Sequence, residues 1–199
     1  MTCKVEAPTS GCGPISFGQC RSLKEMIDLF LKDRSDRGEC EARWWGDQTL
    51  SFDHACRRAF FTLESETTRD AHQWVFSRAD LNAFAKRLAG HESQLSRSTT
   101  FHELYAAIEG ALGLRENSKP LLVYDVTLRL GYHLGLHPTA VYLHRGPAAG
   151  ANALRAGLGR ARSRSIQDFP TSIRTRLTAA QTEDFLCLAR AHLKPELWD

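Results

Sequence analysis

Asp125 and Arg129 stand four residues apart in an apolar run, LVYDVTLRLGYHLGLHPTAVYLHRG, from Leu122 to Gly146. On a helix that spacing lets a carboxylate and a guanidinium meet on one face. Buried together, they either fix how the helix docks or line the floor of a cleft where burial tunes their acidity. The same run carries His133, His137 and His144. Imidazoles titrate near neutrality, so they suit proton transfer. Tyr124 places a phenol beside Asp125. The catalytic candidates are therefore Asp125, His144, Arg129 and Tyr124, with His133 as a second proton-transfer group. A two-histidine metal site would need a third ligand, and no H-E-x-x-H signature is present. No metal ligands and no cofactor are assigned.

A second constellation is electrostatic. Between Arg145 and Arg176 stand seven arginines and a single acid, Asp168, a local charge of +6 in a chain of formal charge +3. RAGLGRARSRS, residues 155–165, reads as an exposed loop whose small residues let main-chain amides approach a phosphate backbone. The nucleic-acid-binding candidates are Lys119, Arg145, Arg155, Arg160, Arg162 and Arg164. A solvated surface loop with no partner is the competing reading.

The elements that must hold these residues read as helices. Ser22 with Glu25, Ser77 with Asp80, Thr100 with Glu103 and Thr178 with Gln181 each place a capping pair ahead of apolar residues at helical spacing. Ser51 precedes another such face through Phe52, Ala55, Cys56 and Ala59. Pro120 suits a first helical position. From there to about residue 135 the apolar residues cover more than one face, which predicts a central, buried helix. Gly131 and Gly135 would let a neighbouring backbone come close. Val141 and Leu143 fall in a short turn or helix, and no clear period-2 strand pattern appears. The expectation is an all-α fold, a single globular multi-helix domain over residues 21–199 behind a flexible arm, residues 1–20.

Length and composition agree with this. At 199 residues, 42% hydrophobic and 25% charged, the chain can bury a substantial core. The N-terminus lacks the basic and apolar regions of a secretory signal, and no apolar run is long enough to span a membrane. The six cysteines form no C-x-x-C pair and read as thiols of a reducing compartment, so a cytoplasmic location is expected.

Tyr124-Asp125, Leu128-Arg129-Leu130-Gly131, Pro138, Val141-Tyr142-Leu143-His144 and Gly146 follow a pattern, as does the later Glu183-Asp184-Phe185-Leu186-Cys187. The pattern resembles a family of uncharacterised bacterial proteins bearing Y-D-x-x-L-R-x-G and P-x-x-V-Y-L-H-x-G, over about a quarter of the chain. Members of that family often have a Gly-rich turn directly before the Tyr-Asp pair, an arrangement similar to a helix-hairpin-helix and to the DNA glycosylases built on it. That module binds DNA phosphates through main-chain amides at a helix start. In this chain Asn117-Ser118-Lys119-Pro120 stands where the Gly-rich turn would be, which makes any helix-hairpin-helix a degenerate one.

Two readings follow. In the first, a bacterial protein contacts nucleic acid, DNA foremost, through its arginines. If it is also an enzyme, it acts on a base or nucleotide, with Asp125 as charged stabiliser and His144 or His133 moving the proton. In the second, the polar cluster fixes the fold of a non-catalytic domain that binds another protein.

Overall fold

The capping pairs initiate helices where their spacing requires. In the computed structural model, which describes residues 15–61, 68, 73, 75–114 and 119–199, the Ser51, Ser77, Thr100 and Thr178 hydroxyls each accept from a main-chain N–H of the first turn. At Ser77 and Thr178 the bond is reciprocal: Asp80 and Gln181 accept from the capping residue's own N–H. The resulting helices are α1 (Leu23–Trp45), α2 (Phe52–Ala59), α3 (Arg78–Ala89), α4 (Glu92–Leu95), α5 (Phe101–Ala111), α6 (Pro120–Leu134), α7 (Arg145–Leu154), α8 (Thr171–Arg174) and α9 (Ala179–Ala189). The protein is mostly helical, as its periodicity requires. No described helix is long and apolar enough to cross a membrane.

The chain divides into two compact units. Residues 37–137 belong to the first; residues 15–36 and 138–199 belong to the second. In the first unit α6 is the buried helix anticipated from its sequence, with Leu122, Val123, Val126 and Leu130 at most 4% exposed. It packs against α2 and α5. Its end is made by Gly135, whose φ of +69° is the left-handed conformation that favours glycine. The amide of Leu136 then donates to the Gly131 carbonyl at 2.8 Å. The close approach anticipated at Gly131 is made by this returning chain: a Cβ there would stand 2.5 Å from the Leu136 carbonyl oxygen.

The second unit is centred on α9. Phe185 is fully buried and meets Phe17 and Phe30 edge-on, with ring centroids 6.0 and 5.6 Å away. Phe17 opens a 3-10 turn, Phe17–Gln19, within the stretch read as an arm; residues 1–14 lie outside the described residues. Helix α7 lies against α9 with its backbone almost touching. A Cβ at Gly150 would be 2.2 Å from the Leu186 carbonyl oxygen, so glycine sets the separation of the two helices.

Two local expectations change. Residues 140–142, read as turn or helix, form strand β1 (Ala140–Tyr142). It pairs antiparallel with β2 (Ser163–Ser165), Val141 opposite Arg164. Three-residue strands are too short to show alternation in a sequence, and their pairing comes from a distant segment. For the same reason RAGLGRARSRS is less of a loop than its composition suggests. Leu158–Arg160 forms a 3-10 turn and β2 follows. A Cβ at Gly159 would stand 2.1 Å from the Ala148 carbonyl oxygen, so the turn is laid directly on α7.

Candidate functional site

The polar residues of the 122–146 run separate into the two units, and their partners differ in kind. In the first unit the Arg129 side chain is 92% buried and its guanidinium Nη1 donates to the carbonyls of Ala59 (3.2 Å) and Phe61 (3.1 Å). The Gln73 carboxamide, oriented to satisfy its neighbours, accepts from the same nitrogen and donates to the Phe60 carbonyl. The guanidinium also lies 4.7 Å over the Trp45 ring. These acceptors are the carbonyls at the end of α2, which helix geometry leaves without partners. Arg129 thus closes a helix end.

The other residues of that unit are placed as follows. Asp125 is half-buried, while Tyr124 is 2% exposed with its ring 6.1 Å from Phe101. His133 Nδ1 stands 3.2 Å from the Asp47 carbonyl, and the His133 carbonyl accepts from Gln48. His137 meets Tyr132 edge-on at 5.6 Å. Lys119 is exposed at the start of α6, its ammonium 5.4 Å over Phe76. The turn before it, residues 115–118, lies outside the described residues, and with it the segment read as a degenerate hairpin.

In the second unit His144 has a different kind of partner. It immediately precedes α7, is 91% buried, and its Nε2 stands 2.6 Å from Glu183 Oε1. Glu183 projects from α9 and is itself 92% buried. A buried imidazole thus faces a buried carboxylate where the start of α7 packs on α9. Imidazole and carboxylate are both side chains that serve general acid–base chemistry. Glu183 was not among the residues singled out for chemistry. Its signal was present in the pattern Glu183 to Cys187, but only folding brings that block against Val141 to Gly146.

The arginines are unequal. Arg145 and Arg160 are exposed. Arg155 is exposed too, but its guanidinium lies 4.4 Å over the Trp198 ring and reaches the Asp168 carbonyl. Arg162 and Arg164 are half-buried, and Arg164 Nε donates to the Leu158 carbonyl at 3.1 Å. Arg176 is ion-paired with Asp28. Among the described residues no group of three His, Cys, Asp or Glu side chains gathers at metal-binding spacing.

Comparisons with protein-family models, with curated proteins and with solved structures gave no significant match.

Proposed function

We propose that the protein contacts the phosphate backbone of nucleic acid, DNA foremost, through the second unit. The observation that supports this is the charge of residues 145–176, seven arginines against one aspartate, on a segment ordered by β1, β2 and the turn laid on α7. Ordering matters because fixed cations contact phosphates without first losing conformational freedom. Arg145, Arg155 and Arg160, three of the four exposed members, make the contacts; Arg162 and Arg164 brace the segment.

The His144–Glu183 pair lies where Arg145 begins α7, so it supplies proton transfer close to a phosphate contact. The base- or nucleotide-processing reading rests on that proximity.

A salt-titrated binding assay with duplex DNA tests the proposal. Affinity falls steeply with salt, with a slope of about −0.9 per phosphate neutralised. Replacing Arg145, Arg155 and Arg160 together by Ala flattens that slope by up to about 3. Weak binding with the same shallow slope for both proteins overturns the proposal and leaves the protein-interaction reading in its place. That second reading is favoured by Arg129, whose burial against carbonyls is structural.

A further inference from the structure

The His144–Glu183 pair has a neighbour that phosphate binding does not use. Cys187 lies one turn beyond Glu183 on α9, so the two side chains leave the same face of that helix. The start of α7 packs on this face. His144 pairs with Glu183, and Gly146 adjoins Cys187: a Cβ at Gly146 would stand 2.5 Å from the Cys187 sulfur. Only glycine lets the sulfur come this close to the helix start.

Burial of the thiol itself disfavours an anion, and two features there favour one. Cys187 is half-buried and carries a thiol, not half of a disulfide. Arg190 Nη1 is 3.8 Å from the sulfur. Helix α7 is ten residues long with no side-chain cap, and among the described residues the main-chain N–H groups of Arg145 and Gly146 have no hydrogen-bond partner. A guanidinium and an uncapped helix start both stabilise a thiolate, the nucleophilic form of cysteine. Two unsatisfied amides beside a nucleophile also fit the oxyanion that develops when a carbonyl is attacked.

We propose that Cys187 is the nucleophile of an acyl-transfer site whose substrate is an ester or thioester, with the His144–Glu183 pair carrying the proton. The sulfur forms a bond to the carbonyl carbon while the carbonyl electrons move onto oxygen, facing the Arg145 and Gly146 amides. Collapse of this adduct breaks the bond to the leaving alkoxide or thiolate, which departs with its electron pair. The proton released by Cys187 passes to His144 and then to that leaving group. The acyl-Cys187 thioester is hydrolysed by water, which gives the free acid and restores the thiol. The site shares the His144–Glu183 pair with the base-processing reading, but none of its steps needs phosphate binding by the exposed arginine side chains.

The test uses the full chain without reductant, treated with 4-nitrophenyl acetate and quenched for peptide-resolved mass spectrometry. Cys20 is the internal reference, half-buried like Cys187, with its thiol pushed up by burial and by Glu25. Cys56 is a second reference, pushed up to about 12 by burial, then by Asp53 and Glu92. Acetylation is expected at Cys187 at least about tenfold faster than at Cys20, with Cys56 unmodified. Nitrophenol release should show a stoichiometric burst that is absent from Cys187→Ser and slowed about tenfold in Glu183→Gln. Equal rates at Cys187 and Cys20, or a burst that survives Cys187→Ser, would overturn the proposal. So would rapid alkylation of Cys187 by iodoacetamide without acetylation. The comparison of sites within the unsubstituted protein keeps the test decisive even if a variant fails to fold.

Discussion

Arg129 and His144 come from one short run of sequence and are both more than nine-tenths buried, yet burial serves opposite ends in the two units. Arg129 donates to main-chain carbonyls at the end of α2 and lies over an indole ring. Its interaction holds α2 to α6. His144 meets a carboxylate at the start of a helix, and both are side-chain types used in acid–base chemistry. A buried polar residue is read by what it faces. Carbonyl partners point to architecture, while titratable partners beside an uncapped helix start point to chemistry.

The largest expected effect is on packing in the second unit. Gly150→Val drives a side chain into the Leu186 carbonyl and should cost more than about 3 kcal/mol by chemical denaturation, with lost hydrogen-exchange protection in α7 and α9. Normal stability in that variant would mean that α7 and α9 are not in backbone contact. Next comes Arg129→Met, which fits the volume but leaves two carbonyls unpaired; it should cost about 2–3 kcal/mol, with protection lost in α2 and α6. A loss below about 0.5 kcal/mol would remove the architectural half of the comparison.

A pH titration sharpens it further. In the first unit Asp80 is held below the usual carboxylate range by hydrogen bonds from the Ser77 side chain and backbone. Glu103 is held down by the Thr99 backbone and side chain, and Asp47 by the Thr49 side chain and backbone. Lowered carboxyls stabilise the fold fully above their unfolded values of about 4 and lose that contribution as pH falls through the lowered ones. The α3 and α5 caps should therefore weaken in acid below about pH 4, seen as earlier exchange of their first-turn amides. Asp80→Asn with Glu103→Gln should remove most of that dependence, and an unchanged acid limb in the double variant would count against it. The smallest stability effect belongs to Arg160→Ala, within about 0.5 kcal/mol by denaturation because the residue is exposed, while the salt dependence of DNA binding still falls.

Much of the helical framework was legible because its determinants are local. A serine or threonine caps an amide three residues on, and apolar side chains three and four apart share a face; neither needs the rest of the chain. The starts at Phe52, Arg78, Phe101, Pro120 and Ala179 follow from that. The strands were not legible. Three residues carry no period, and Val141 finds Arg164 only after α7 has reversed the chain. The arginine segment was misjudged for a related reason: composition reports charge, whereas the contact of Gly159 with Ala148 that orders it is tertiary.

The candidate site divides the same way. By itself the sequence determined that His144 sits in an apolar run before a glycine and that Glu183 and Cys187 share a helical face, since both are matters of order and period. Only the tertiary structure decided that these two pieces meet. Helix α7 can approach α9 because Gly146 and Gly150 have no Cβ to keep the backbones apart, and that approach brings an imidazole within 2.6 Å of a carboxylate. Spacing along a chain fixes which side chains share a face, but which faces touch depends on how closely whole elements can pack.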